Sequence, residues 1–391
     1  MSIIWSPKLD SGAQAWLDTA AALTKDTFEP LAEELDREQR YPWESIDVLV
    51  KSGLAGVFIP KEHGGQGAPL SATIAVVEEV ASGCASTAAI LCACQLGAFP
   101  VLLGGTKQQK DKYLGEMANG TGTSFALSER STGSDAAAIT TTAVRENDGW
   151  RIKGEKYWIG NGGASRYYVV FAKTDPAAGG RGISAFMVDK EANGVEIDEL
   201  NDKMGIRGTQ TSNLKLDTWV PQDAMVGEEG RALRLALKTL NVGRIMVSAQ
   251  STGLALAAYR TAAERAVERE AFGKAIIDNQ GIGFKLADIA TELSAARMML
   301  YEAARAYDAG EDVQVLGAMA KLYTSEVAHK AADAAMQIWG GFGYCKPNLA
   351  ERLYRDQRIL EIYEGTSEIQ RLVLARSIKN AVEAAGKDQA A

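Results

Sequence analysis

Thr140-Thr141-Thr142-Ala143-Val144-Arg145-Glu146-Asn147-Asp148-Gly149-Trp150-Arg151-Ile152-Lys153-Gly154-Glu155-Lys156-Tyr157-Trp158 is the stretch on which the fold turns. Apolar and polar residues alternate over 140–145 and again over 150–158, the period of a strand with two unlike faces. Asn147-Asp148-Gly149 lies between them, where a tight turn needs residues that accept positive φ. The reading is a β-hairpin. Outward from it, residues 167–172, 183–188 and 212–216 are short β-branched or aromatic runs, and Ala178-Gly179-Gly180 marks another turn.

On either side the period changes to that of helices. Residues 13–35 place Trp16, Ala20, Leu23, Phe28 and Leu31 at helical spacing, and Pro42, Gly53 and His63-Gly64-Gly65-Gln66-Gly67 interrupt the pattern. Residues 71–103 are Ala-rich and apolar, a buried helix with its continuation, and 108–117 put Tyr113, Leu114 and Met117 opposite charges. Beyond 229, residues 231–269, 284–308 and 313–339 are long, Ala-rich and amphipathic, which suits antiparallel helices in a bundle. The fold class is α+β, multidomain: an N-terminal helical domain over 1–122, a middle antiparallel β domain over 123–228, and a C-terminal four-helix-bundle-type domain over 229–391. The tail after Ile378 is expected to fray.

The bulk numbers exclude several classes. A chain of 391 residues with 46% hydrophobic and 24% charged residues is an ordinary globular composition. A net charge of −8 argues against a nucleic-acid partner. Cys84, Cys92, Cys94 and Cys345 are too few and too scattered for a disulfide framework, and with only His63 and His329 no metal site is expected. The N-terminus lacks a signal or transit pattern, and apolar runs such as 85–93 are too short to span a bilayer. A cytoplasmic protein without membrane partner is expected.

Ile362-Tyr363-Glu364-Gly365-Thr366-Ser367-Glu368-Ile369-Gln370-Arg371 carries the chemistry. It reads as a loop entering a helix, with Thr366 and Ser367 as caps and Gly365 leaving the backbone open to a ligand. Glu364 then stands like a base at a pocket mouth. The ten residues alone read first as a capped surface helix with a solvated Glu.

Five blocks reverse that balance: Phe125-Ala126-Leu127-Ser128-Glu129, Tyr157-Trp158-Ile159, Met204-Gly205-Ile206-Arg207-Gly208, Arg269-Glu270-Ala271-Phe272-Gly273 and the Glu364 segment. In this order and spacing, over nearly the full length, the chain resembles the acyl-CoA dehydrogenase family of flavoproteins, most closely its short-chain and butyryl-type members. The resemblance implies FAD as cofactor and Glu364 as catalytic base. It puts Phe125, Leu127, Ser128 and Gly133 in the FAD loop, with Ser134 reaching both FAD and the CoA part of the substrate. As residues alone, that loop is a hairpin capped by Ser134. Trp158, Ile159 and Gly160 are implied to lie against the flavin, although Trp158 alone reads first as a core Trp of the β domain. Relatives commonly have Thr where this chain has Gly160, so a hydroxyl near flavin N5 is missing.

Asn241 and Arg244 lie on a long helix, and the resemblance implies that they meet the acyl-CoA, as does Gly365. Arg244 alone could be an exposed helix residue. Gly243 occupies the position from which isovaleryl-type relatives take their base, which leaves Glu364 as the one base consistent with the family. Arg269, Phe272, Gln280, Gln337, Gly340 and Gly341 are implied to hold FAD across a subunit interface, and Thr366 and Glu368 to contact it as well. The same likeness implies a homotetramer, with electron-transfer flavoprotein as electron acceptor.

The implied reaction is α,β-dehydrogenation of a short- to medium-chain acyl-CoA, branched or cyclic chains included, to the trans-2-enoyl-CoA, as in β-oxidation. Glu364 takes the α-proton and flavin N5 the β-hydride. Hydrogen bonds on the thioester carbonyl, one from the Glu364 N–H, stabilise the enolate-like charge. Burial should raise the pKa of Glu364 toward a useful value. Leu91-Cys92-Ala93-Cys94-Gln95-Leu96-Gly97 is placed at the acyl end and carries no charge for an acidic tail. The rivals are an enoyl-CoA reductase, an acyl-CoA oxidase, a dehydrogenase of acyl carrier protein thioesters, and a non-catalytic CoA-binding or scaffold protein.

Overall fold

The hairpin expected at 140–158 forms as β2 against β3 in the computed structural model, which describes residues 3–388. Thr142 pairs with Lys153 and Glu146 with Gly149, and Asn147 takes φ 57° at the turn. The helices before it are α1 (Ser11–Leu23), α2 (Glu29–Glu38), α3 (Trp43–Lys51), α4 (Leu70–Gly83), α5 (Ala85–Gly104), α6 (Lys107–Gln109) and α7 (Gly115–Ala118). The strands are β1 (Thr123–Ala126), β2 (Thr142–Glu146), β3 (Gly149–Ile159), β4 (Tyr167–Lys173), β5 (Ile183–Asp189), β6 (Val195–Leu200), β7 (Ser212–Pro221) and β8 (Met225–Val226). Then come α8 (Ala232–Glu268), the small hairpin β9 (Glu270–Ala271) and β10 (Lys274–Ala275), α9 (Gln280–Asp308), α10 (Gln314–Trp339), α11 (Gly341–Tyr344), α12 (Leu349–Gln357) and α13 (Ser367–Asp388).

The chain divides into two units. One comprises residues 25–69 and 86–240. Its eight-stranded sheet has the order β6-β7-β3-β2-β4-β5-β8, with β1 added beside β4. The all-antiparallel expectation needs correction: β1 runs parallel to β4, Thr123 beside Tyr167, and β2 meets β4 parallel at Thr142 and Lys173. A parallel pair needs a crossover, and the β2–β3 hairpin lies within the one from β1 to β4. Strand β4 is buried on both faces. Tyr167, Val169 and Phe171 join one core, and Tyr168, Val170 and Ala172 the other. That explains its unbroken apolar run. In contrast β6 is almost wholly exposed, so its polar sequence gives no strand signal.

The other unit comprises residues 1–24, 70–85 and 241–391. Here α10 packs against α9, α12 and α13, and α4 against α1 and α9. The bundle core is small-residue packing: Ala318, Ala320, Ala328, Ala331 and Ala335 of α10 are all buried. The expected fraying after Ile378 is not seen up to Asp388. Residues 379–386 are rich in Lys, Glu and Ala, good helix formers, and Lys379 and Glu383 pair at 3.7 Å one turn apart. The last part of that expected tail, residues 389–391, lies outside the described residues. One further correction concerns α5, which is long and apolar enough by length and composition to cross a membrane, although 67% of its most apolar window is buried within the fold.

Candidate active site

The Glu364 turn is built by the bundle. A 3-10 turn at Arg358–Glu361 ends α12, and α13 begins at Ser367. Thr366 Oγ1 accepts from Ile369 N at 3.3 Å, as expected of that cap, whereas Ser367, expected to cap as well, has its Oγ buried without a partner. Between them Glu364 and Gly365 both adopt left-handed backbone, φ 56° and 88°. A Cβ at Gly365 would stand 2.8 Å from Gln370 Nε2, so glycine is needed for both conformation and space. The turn is pinned from inside. Gln370 Nε2 donates to Glu364 O at 3.2 Å and to Gly365 O at 2.8 Å, and Lys321 Nζ donates to the same Gly365 O at 2.7 Å. Gln370 and Lys321 are fully buried. The Tyr363 hydroxyl donates to Gln250 Oε1.

The Glu364 carboxyl is withdrawn from water, and its Oε2 is buried without a hydrogen-bond partner. Burial pushes its pKa up against the opposing charges of Arg244 and Lys321, to about 7. Arg244, on α8, is buried rather than an exposed helix residue; its Nη1 donates to Asn241 Oδ1 at 2.9 Å and its Nε has no partner. Burial lowers the guanidinium pKa, and Glu364 raises it. The arrangement is a carboxyl that titrates near neutrality, free to accept a proton, with two cations to steady its ionised form.

Elsewhere in the same unit the expected cofactor residues lie at the surface. Phe272 and Gly273 form the turn of the β9–β10 hairpin with φ 54° and 76°, and Phe272 is 97% exposed. Arg269, Gln280, Gln337, Gly340 and Gly341 are exposed. A Cβ at Gly340 or Gly341 would meet nothing within 4 Å, so the main chain there is open to a ligand. Thr366 is partly buried and Glu368 exposed.

In the sheet unit, Trp158 is 56% exposed, which excludes the core reading; the core tryptophan is Trp150, at 1%. A register shift against β7 between Lys156 and Ile159 forms a bulge, in which Trp158 takes φ 56°. Its N–H donates to Asn213 Oδ1 at 3.1 Å. A bulge of this kind re-aims one side chain out of the pleat. Trp158, Phe272 and Glu364 are three of the seven non-glycine residues with left-handed φ among the described residues. Such strain persists where surrounding contacts over-determine it, and it clusters at functional sites.

After β1, Leu127 O accepts from Lys156 Nζ at 3.1 Å and Ser128 O from Tyr157 N at 2.9 Å. Leu127 and Ile159, at 6% and 2% exposure, can offer a ligand little beyond main chain. Phe125 is partly buried against Phe171, with ring centroids 4.8 Å apart. Ser128 and Gly160 are partly buried, and Gly133 and Ser134 are exposed. Gly160 O accepts from Ser124 Oγ at 2.7 Å. A projecting indole beside main chain and small hydroxyls fits a flat, hydrogen-bonding ring such as a flavin. On another side of α5, Ile90, Leu91 and Cys94 line an apolar cavity of about 40 Å³ with Tyr41, Trp43 and Met117.

Sequence reading missed Lys321, Gln370 and Asn213. A lysine flanked by Ala318, Ala320 and Leu322 in a helix looks like its polar face, and only the fold shows that Lys321 points inward.

Comparison with known proteins agrees with this geometry along the chain. The models of the acyl-CoA dehydrogenase N-terminal, middle and C-terminal domains match residues 11–121, 124–219 and 230–379. The mitochondrial short-chain specific acyl-CoA dehydrogenase of Bos taurus is 42% identical over 356 residues, covering 90% of this chain and 86% of that one. The 3-(aryl)acrylate reductase of Clostridium sporogenes is 41% identical over 363 residues, 92% of this chain and 96% of that one. The structure of butyryl-CoA dehydrogenase from Megasphaera elsdenii superposes with a TM-score of 0.93 at 36% identity, covering 96% and 100% of the two chains. The protein with the Glu364 turn and the projecting Trp158 belongs to the acyl-CoA dehydrogenase family of FAD-dependent oxidoreductases, and its cofactor is FAD.

Proposed function

We propose that the protein dehydrogenates a short- to medium-chain acyl-CoA to the trans-2-enoyl-CoA, with Glu364 removing the α-proton. The observation that carries this reading is the Glu364 carboxyl, with one oxygen buried and unpartnered and its pKa near 7. A base of that pKa is ionised for a useful fraction of the time near neutral pH and strong enough to accept a proton in the transition state. Bound FAD supplies the acceptor for the β-hydrogen. The chain's own contribution is to hold the Glu364 carboxyl and N–H in one fixed turn through Gln370 and Lys321. Donors fixed beforehand stabilise developing charge on a thioester carbonyl without reorganising during the reaction.

In this reading Trp158 covers the flavin, Ser128 and Ser134 bind polar parts of cofactor and substrate, and the exposed Arg269, Phe272, Gln280 and Gln337 serve FAD across a subunit interface of a homotetramer. Gly133, Gly340 and Gly341 let main chain approach the cofactor. Asn241 and Arg244 are assigned to the acyl-CoA, with the burial of Arg244 beside Glu364 favouring the reacting end over the nucleotide end. The uncharged segment 91–97 suits a short or branched acyl chain without an acidic tail. Electron-transfer flavoprotein is the expected acceptor and the cytoplasm the expected location.

Anaerobic titration of the holoenzyme with a panel of acyl-CoAs, followed by flavin absorbance, tests cofactor, reaction and chain length together. Glu364→Gln should remain yellow and bind acyl-CoA without bleaching. Full bleaching of that variant by substrate removes Glu364 from the role of base. The reverse reaction is a second reading, favoured by the 41% identity to the 3-(aryl)acrylate reductase. Faster reoxidation of reduced enzyme by an enoyl-CoA or arylacrylyl thioester than reduction by the saturated partner would assign that direction.

A further inference from the structure

We propose that Lys321 is a positioning residue for the base: its ammonium holds the Gly365 carbonyl, and its charge keeps Glu364 ready to accept a proton. The proposal rests on the reading of Glu364 as the base.

The turn does not require a cation to hold its shape. Gly365 O already accepts from Gln370 Nε2 at 2.8 Å, and Lys321 Nζ adds a second donor at 2.7 Å. One more hydrogen bond stabilises the turn far less than burying an ammonium costs. Lys321 is nonetheless fully buried, on a helix of small apolar residues. A neutral donor would close the turn at lower cost, so the charge needs a purpose of its own.

The charged groups facing it are Glu364, Glu361, Arg244 and Glu368, from the turn, the preceding 3-10 segment, α8 and α13. Glu361 already stands 3.0 Å from Arg358 and 3.5 Å from His329. Glu368 is exposed. Glu364 is the carboxylate with a buried oxygen that has no hydrogen-bond partner. Among the described residues no carboxylate stands in ion-pair contact with Lys321, so its charge acts on Glu364 without donating a hydrogen bond that would quench the base. Burial, against the surrounding carboxylates, brings the lysine itself down to about 8, which leaves it cationic at neutral pH.

The test is the pH profile of flavin reduction, measured by anaerobic stopped flow with the acyl-CoA that bleaches wild-type holoenzyme fastest. Lys321→Met and Lys321→Gln should move the acid limb upward by about 1–2 pH units, slow reduction roughly tenfold at pH 6.5, and approach the wild-type rate above pH 9. Lys321→Arg should keep the wild-type limb. If both neutral variants keep it, with rates intact or lowered equally at every pH, Lys321 is only a structural donor and the proposal falls. Loss of FAD from all three variants would likewise overturn it, by placing Lys321 in the framework of the fold. Glu364→Gln is run beside them. Full reduction there sinks the base assignment itself, whereas an inactive Glu364→Gln with unshifted Lys321 variants sinks only the role of the lysine.

Discussion

Two carboxylates, the buried Glu129 in the sheet unit and the partly buried Glu364 in the helical unit, each have a fully buried lysine nearby and behave in opposite ways. Glu129, 3% exposed, accepts from Thr140 N at 2.6 Å, Thr140 Oγ1 at 2.8 Å, Thr141 N at 2.9 Å and Lys156 Nζ at 2.9 Å. Burial works against its ionised form, yet the Lys156 charge and these donors outweigh it and hold the carboxyl at about 2. Glu364 has an oxygen without a partner, and its lysine donates to a backbone carbonyl instead. There burial prevails and the pKa rises to about 7. A neighbouring lysine does not distinguish the two, and the better buried carboxyl is the one with the lowered pKa. What distinguishes them is whether the lone pairs are already occupied: a satisfied carboxylate is a structural brace, and an unsatisfied one is available for proton transfer.

Neutral amides at the two positions should separate these roles. Glu364→Gln is expected to slow flavin reduction by about 10³–10⁴ while retaining FAD and thermal stability, as measured by rapid anaerobic mixing and by unfolding of the holoenzyme. Glu129→Gln leaves the fully buried Lys156 without a charged partner, and should cost about 3–5 kcal/mol in denaturant unfolding. A stable Glu129→Gln protein, or a Glu364→Gln protein that unfolds, would break the comparison.

Part of this contrast was legible in the sequence and part was not. The turn at Glu364 is legible because Gly365 and the Thr366 cap define it from local chemistry, but its role as a base comes from the family resemblance carried by the five blocks together. Trp158 was visible as an aromatic at the end of an alternating strand, but its exposure comes from a bulge against β7, a partner more than fifty residues away. Lys156 reads as the polar face of β3, and nothing local says that it is buried or paired across the sheet with Glu129. Lys321 and Gln370 were hidden for the same reason: an inward lysine and an outward one have the same helical period. Local rules delivered strands, helices and caps; the partners of buried charges needed the tertiary structure.

The pH dependence of stability sharpens the difference. Glu364 has its native pKa raised from 4.5 to about 7, so between those values the native state binds more protons than the unfolded chain. Its contribution is therefore fully present below about 4.5 and lost as pH rises through about 7, amounting to up to roughly 3 kcal/mol. Glu129 is lowered to about 2, so its contribution is present above about 4.5 and lost as pH falls toward 2. The stability difference between wild type and Glu364→Gln should thus change across pH 4.5–7. That between wild type and Glu129→Gln should change only below about pH 4.5. Denaturant unfolding at intervals from pH 2 to 8 reads both slopes, and parallel curves for the two variants would contradict the assignment.

The smallest effect is expected at Gly160, beside Trp158, where relatives commonly carry Thr. Unlike Gly365, this glycine is not in the left-handed region, and an added Cβ would meet only Ala93 Cβ at 3.7 Å, an ordinary contact. Neither conformation nor space accounts for glycine at this position. Gly160→Thr should therefore fold with stability within about 0.5 kcal/mol of wild type and retain FAD. Its added hydroxyl should show in the flavin instead, as a changed midpoint potential and a changed rate of peroxide formation in air, with Gly160→Ala as the control that adds bulk without a donor. If both variants lost FAD, the strand end would be packed as tightly as the Glu364 turn. If only the threonine altered the flavin, the sheet side of the protein would be shown to tune its cofactor through a group this chain lacks, while the helical side retains its base in a turn where substitution is not tolerated.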